Sequence, residues 1–197
     1  VDMPGRGMDK INHAYAFGNV DLAIETVEGV LDIPIHFYAK VNMEGFEQGI
    51  DAIGGVTIQN DEPFSQGNTE FKKGNIHLSG SEALHYITMR KDDPRGDIGR
   101  NERQRKVVAG AIDEAVHFSS ITKVGHILNI LGDHVETNLN KDNIQTLFFN
   151  YRQTANHINT QEIEGIGQMI RGVSYYVVSD EEMERIQTEI KQHMAAS

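Results

Sequence analysis

"RKDDPRGDIGRNERQRKVVAGAIDEAVHF", residues 90–118, is the stretch on which the reading of this chain turns. Its second part, from residue 101, predicts a helix, because Val107, Val108, Ala111, Ile112, Ala115 and Val116 recur at helical spacing. Its first part, residues 90–105, places six basic and four acidic residues in sixteen positions. With the helix starting at Arg100 or Asn101, Arg100, Arg103 and Gln104 project back along the face that the apolar stripe uses. Arginine at a helix start also opposes the macrodipole, at a cost of a few tenths to about 1 kcal/mol per exposed charge. One reading is an anion site. Free backbone N–H groups, the dipole and guanidinium forks would together hold a phosphate or pyrophosphate, with Gly96 and Gly99 letting the backbone approach it. The other is a surface salt-bridge cluster, in which Asp92, Asp93, Asp97 and Glu102 neutralise the arginines. Spacing leaves both open.

Outward from this stretch, helices alternate with strands. Upstream, the pattern predicts a helix over 19–33, a strand over 34–43, a short helix over 45–55 and a strand over 56–60. Residues 61–74 read as loop, and 79–90 as a helix capped by Ser81. Downstream, helices are expected over 120–132 and over 140–155, the latter capped by Asn140 or Thr137. Two strands follow around Gly165 and Gly167, then a terminal helix with Ser179 and Glu182 as a capping box. The alternation argues an α/β class, an α/β/α sandwich, in a single domain over 1–197.

With 197 residues, the chain is long enough to bury a sizeable core, and 39% apolar with 24% charged residues is a globular composition. A net charge of −11 argues against a nucleic-acid partner, which calls for a basic face. Local positive charge on an acidic body suggests a small anionic ligand instead. The absence of cysteine removes disulfides, thiol nucleophiles and cysteine-type zinc sites. The nine histidines form no tight ligand pair such as HExxH.

The blocks "DKINHAYAFG", "IETVEGVLDIPIHFYAKVNMEGF", "IDAIGGV", "KGNIHLSGSEALHYITMRKDDPRGDIGRNERQR" and "VETNL" resemble the LytR-CpsA-Psr family of Gram-positive cell-envelope proteins. The resemblance runs in order from Val1 to about Asn140, and more loosely to the end. It implies an α/β/α domain with a central mixed sheet and an apolar lipid groove. It implies transfer of a phosphoglycopolymer, such as wall teichoic acid, from a polyprenyl-pyrophosphate carrier to peptidoglycan, with Mg2+ as cofactor. The implied location is the extracellular face of the cell membrane, with the membrane reached through an anchor absent from this chain. Helical stripes such as Ile127, Leu128, Ile130 and Leu131, or Leu147 and Phe148, would line the groove, unless they are ordinary core.

Carried over residue by residue, Arg90 matches the second arginine of the family's Arg-x-Arg pair, and Arg100 and Gln104 match its "GRxxRQ" motif. Arg95 and Asp97 match the "PRGD" turn, and Lys10 the lysine of "DKINHAY". The resemblance thus assigns the pyrophosphate to Arg90, Arg100, Gln104, Arg103, Lys10 and Arg95, with a salt bridge to Asp97 or Glu102 as the alternative for Lys10 and Arg103. Arg100 and Asp97 become the catalytic pair, Asp97 either as a general base or as a residue orienting Arg95 or Arg100. Thr88 departs from the pattern: it stands where the first arginine of the pair is expected and brings no charge. The aspartates that hold magnesium in the family belong to a segment upstream of Val1, so no metal ligand is assigned here and this chain is expected to lack the family's N-terminal strands. A non-catalytic polyprenyl-phosphate-binding module is the alternative. A transcription attenuator, as older family names have it, is opposed by the charge and by the lack of a basic helix-turn-helix.

Overall fold

The structure, a computed structural model, describes residues 1–90, 93, 95–116, 125, 127, 129–130, 132–150 and 160–195. In chain order the elements begin with β1 (Asp2–Met3), β2 (Gly7–Met8), α1 (His13–Leu31), β3 (Ala39–Val41), α2 (Met43–Ile53) and β4 (Val56–Asn60). Then come β5 (Phe64–Gln66), β6 (Thr69–Phe71), β7 (Gly74–Leu78), α3 (Gly80–Thr88) and α4 (Asp97–Val116). After a 3-10 turn (Gly132–His134) follow β8 (Val135–Thr137), α5 (Lys141–Asn150), β9 (Ile166–Ile170), β10 (Val173–Val177) and α6 (Asp180–Ala195). The α/β class expected from the sequence holds. Among the described residues every strand pairing is antiparallel and two-stranded: β1–β2, β3–β8, β4–β7, β5–β6 and β9–β10. The chain divides into two compact units, Val1–His36 with Asn159–Ser197, and Phe37–Ile158.

The second unit carries the arginine stretch. Its core forms because "VTIQN" alternates: Val56, Ile58 and Asn60 of β4 point inward and are buried, while Thr57 and Gln59 face out. They pack with Ile50, Phe71, Leu78, Ala83, Tyr86 and Val107, and Phe64, Phe71 and Tyr86 stack as an aromatic trio with centroids 4.8–5.3 Å apart. Asn60 is tolerated there because its amide is satisfied. Its Nδ2 donates to Lys72 O at 2.9 Å, and its Oδ1 accepts from the Tyr86 hydroxyl at 3.0 Å.

Helix α3 is capped two residues earlier than the sequence suggested. Ser79, not Ser81, is the cap: its Oγ accepts from the Glu82 N–H, and the Glu82 carboxylate accepts from the Ser79 N–H at 2.9 Å. Gly80 then abuts α2 so tightly that a Cβ would strike the backbone carbonyl of Glu47 and come within 2.7 Å of its carbon. Backbone cannot rotate away, so Gly80→Ala is expected to destabilise the protein by about 1–3 kcal/mol despite the better helix propensity of alanine. Urea unfolding checks this; a gain in stability would show that α2 and α3 are not held at this distance.

Other boundaries moved for local reasons. The expected loop 61–74 contains the β5–β6 hairpin and leads into β7, which pairs along β4. The expected strand over 34–43 shortens to β3. Helix α1 begins at His13 and breaks at Gly18 and Asn19, where Asn19 has φ 55°, so the predicted start at Asn19 marks the break. Asn140 caps α5, its Oδ1 accepting from the Asn143 N–H at 2.8 Å. The helix expected over 120–132 falls largely outside the described residues, as do Leu128, Leu131 and the Phe148 side chain.

In the first unit, the two strands expected around Gly165 and Gly167 are β9 and β10, joined by a turn at Arg171 and Gly172, both with positive φ. Ser179 caps α6, but Glu182 does not close the expected box. Its carboxylate instead takes Arg185 and the Glu164 N–H, which hold its pKa down to about 2. No helix among the described residues is long and apolar enough to cross a membrane.

Candidate functional site

The residues that sequence spacing set on one face of α4 occupy two neighbouring ridges. Gly99, Arg103 and Val107 are buried and Ala111 is half-buried, each four residues from the last, and this ridge packs on β4 and α3. Arg100, Gln104, Val108 and Ile112 form the adjacent ridge. Arg100 is half-buried and Gln104 is exposed, while Val108 and Ile112, expected in the core, are 55% and 40% exposed.

An arginine in a buried ridge needs a counter-charge and acceptors, and Arg103 has both. Its Nε donates to Tyr86 O at 3.0 Å, Nη1 to the Asp93 carboxylate and Nη2 to Met89 O, and its guanidinium lies over the Phe64 ring with the centroid 5.3 Å away. Asp93 is itself 3% exposed at the side chain. Its second oxygen accepts from the Arg95 N–H at 2.8 Å, and its carbonyl accepts from the Gly96 N–H at 2.9 Å, which shapes the turn entering α4. Gly99 makes room for this: a Cβ there would overlap the Asp93 carboxylate. Burial alone would raise the Asp93 pKa. The Arg103 and Arg95 hydrogen bonds and charges outweigh it and hold the carboxyl below its ordinary range.

Beyond this pair the charges continue toward solvent. Arg95 bonds Glu102, and Lys106 bonds both Asp61 and Glu102, the latter at 3.0 Å. The Lys106 hydrogen bond, helped by Arg95, holds Glu102 below the usual carboxylate range against the opposing effect of burial. These groups surround a cavity of about 120 Å³ that also touches Asn60, Phe64 and Met89. The salt-bridge reading therefore describes Arg95 and Arg103, whose guanidinium groups engage protein carboxylates.

The remaining predicted residues sit as follows. Arg90 is exposed and directly follows Met89, the residue that Arg103 grips. Thr88 donates its hydroxyl to Leu84 O at 2.7 Å in its own helix, which leaves the oxygen to the outside as an acceptor. Asp97 is the first residue of α4; its side chain lies outside the described residues. Lys10 belongs to the first unit, where its ammonium lies 4.9 Å from the Tyr175 ring centroid and its backbone N–H donates to Asp9. Among the described residues no three histidine or acidic side chains converge as a metal-ion site. Asp93, Glu102 and Asp61 are engaged by Arg103, Arg95 and Lys106. Sequence reasoning gave Asp93 no role beyond surface neutralisation. Its signal was the i, i+4 ridge of Gly99, Arg103, Val107 and Ala111, whose one charged member demands a buried partner.

The architecture defines a class: an α/β protein with an arginine-headed helix whose exposed side continues into aliphatic residues. The chain belongs to the LytR_cpsA_psr family, which matches residues 1–192. It is 56% identical over 98% of its length to the polyisoprenyl-teichoic acid–peptidoglycan teichoic acid transferase TagU of Oceanobacillus iheyensis, and spans 62% of that protein. It is also similar to the crystal structure of Bacillus subtilis TagU, with 40% identity and a TM-score of 0.75 over 96% of this chain and 79% of that one. A structure of TagT bound to LIIa-WTA is 28% identical, with a TM-score of 0.81 over 98% of this chain and 74% of that one. The chain thus spans less than two thirds of the length of the Oceanobacillus relative.

Proposed function

We propose that this chain is part of a phosphotransferase that moves an anionic glycopolymer of the teichoic-acid kind from a polyprenyl-pyrophosphate carrier onto peptidoglycan at the outer face of the cell membrane. What carries the reading is the outer ridge of α4. It begins with Arg100 near the helix start and Gln104 one turn on, then turns aliphatic at Val108 and Ile112, which stay exposed. From Arg100 to Ile112 the helix rises about 18 Å, the scale of a few isoprene units. A ligand with a doubly charged head and a long apolar tail complements that order of residues; a free phosphate would leave the aliphatic part without a role. The transferase names of the relatives, and TagT bound to LIIa-WTA, support the same substrate class.

In the proposed reaction Arg90 and Arg100 hold the pyrophosphate, with Gln104 donating an amide hydrogen bond to it. A sugar hydroxyl of peptidoglycan attacks the glycan-bearing phosphorus, and the P–O bond to the bridging oxygen breaks. The electron pair leaves with polyprenyl monophosphate, a new phosphodiester joins glycan to wall, and the hydroxyl proton passes to a base, for which Asp97 is the candidate. The arginines stabilise the charge that develops on the leaving phosphate. Arg103, buried on Asp93, and Arg95, bound to Glu102, are given no direct contact in this scheme, and no step is assigned to Lys10. Magnesium belongs to the expected chemistry. The described acidic residues do not form a set to hold it, and no step here runs through it.

The decisive experiment incubates a polyprenyl-pyrophosphate-linked glycan with a peptidoglycan fragment and the protein, and seeks the phosphodiester product by mass spectrometry. Product formed by wild type and lost in Arg100→Ala is the expected result. Tight binding of the carrier without product would favour a non-catalytic polyprenyl-phosphate-binding module instead.

A further inference from the structure

We infer that Asp93 and Arg103 are positioning residues that set the spacing between Arg90 and Arg100, an inference that rests on the pyrophosphate reading of those two arginines. Arg103 lies on α4 less than one turn after Arg100, so its place fixes the start of the helix. Its Nη2 donates to Met89 O, the carbonyl of the peptide unit that leads into Arg90. Its Nη1 reaches Asp93, whose other carboxylate oxygen holds the Arg95 N–H, and the Gly96 carbonyl accepts from the Arg100 N–H at 3.2 Å. One buried guanidinium therefore joins the Met89 carbonyl, just before Arg90, to the Asp93 carboxylate that holds the Arg95 N–H at the entry to α4. The planar fork matters, because three acceptors lie at fixed angles around it: Tyr86 O, Met89 O and Asp93. A lysine in its place could satisfy only part of the set. Gly99 belongs to the same device, since the Asp93 carboxylate occupies the space a side chain there would need. Two separate arginines act as one clamp on a pyrophosphate only if their bases are held, and a misplacement near 1 Å already weakens such a clamp severely.

The test measures affinity for geranylgeranyl pyrophosphate by calorimetry at low temperature, with the folded fraction of each protein fixed by circular dichroism. The proteins are wild type, Arg103→Met, Arg103→Lys, Asp93→Asn, Arg100→Ala and the Arg100→Ala/Arg103→Met double variant. Positioning predicts that folded Arg103→Lys or Asp93→Asn binds roughly ten- to a hundredfold more weakly. It also predicts that the Arg103 change adds little once Arg100 is gone. Losses that add in full would make Arg103 a direct ligand and overturn the inference. Unchanged affinity with a lowered melting temperature would reduce the pair to a stabilising role, which also overturns it. Arg103→Lys and Asp93→Asn decide the matter if Arg103→Met does not fold. Saturable wild-type binding that Arg100→Ala leaves unchanged would instead count against the pyrophosphate reading itself.

Discussion

Asp93→Ala is expected to lower the free energy of unfolding by about 3–5 kcal/mol, because it leaves the Arg103 guanidinium buried without its counter-charge. Both side chains are nearly inaccessible, at 4% and 3% exposure, so solvent cannot screen the change. In urea the midpoint should fall while the slope stays near that of wild type. A double replacement, Asp93→Leu with Arg103→Met, should recover part of the loss. It removes both charges but leaves Tyr86 O and Met89 O without their donor, a cost of about 1–3 kcal/mol for each acceptor that water does not reach. A loss under about 1 kcal/mol for Asp93→Ala would place the pair among ordinary surface ion pairs and contradict the buried geometry.

The same pair sets an acid limb. The native Asp93 carboxyl is held below its ordinary value, so the unfolded chain binds its proton first as pH falls. Its contribution is present in full above the unfolded value of about 3.9 and declines as pH drops through the lowered native value. Asp93→Asn should therefore be less stable than wild type near neutrality and lose less on acidification.

How much of this was legible in advance depends on what each residue type reports. The alternation of "VTIQN" and the apolar periodicity after residue 101 identified β4 and α4, since both patterns follow from backbone geometry alone. The hairpin of β5 and β6 was not legible: three-residue strands broken by Gly67 and flanked by Pro63 read as turn chemistry, and only the packing of Phe64 and Phe71 on Tyr86 makes them strands. Within the site, periodicity put Arg100, Arg103 and Gln104 on one face, because residues three and four apart differ by too small an angle to be separated on paper. The structure separates them by burial. Arg103 goes inward, where Asp93 meets it across ten positions of chain, and Arg100 stays half-buried at the head of the adjacent ridge. A long-range carboxylate partner leaves no periodic trace in sequence. Family resemblance carried the expected substrate class, yet it could not tell the arginine that α4 buries on Asp93 from the one on its outer ridge.

The outer ridge of α4 makes a second strong expectation, because its head and tail are separable. Arg100→Ala should slow glycopolymer transfer by about 10²–10³. It should weaken geranyl, farnesyl and geranylgeranyl pyrophosphate by the same factor, since all three present the same head to the helix start. Ile112→Asp acts at the other end of the ridge and should spare the shortest ligand. Each methylene that reaches an apolar surface is worth about 0.8 kcal/mol when fully buried. Affinity in wild type should accordingly climb with chain length, and in Ile112→Asp that climb should flatten beyond the farnesyl chain. Val108→Asp, one turn nearer the head, should flatten it sooner. Calorimetry across the three ligands and four proteins reads both effects in one matrix. If Arg100→Ala left every affinity within about twofold of wild type, a change under about 0.5 kcal/mol, the head would not be bound at the start of α4. If Ile112→Asp lowered all three equally, Val108 and Ile112 would not be tracking a tail, and their exposure would call for another occupant.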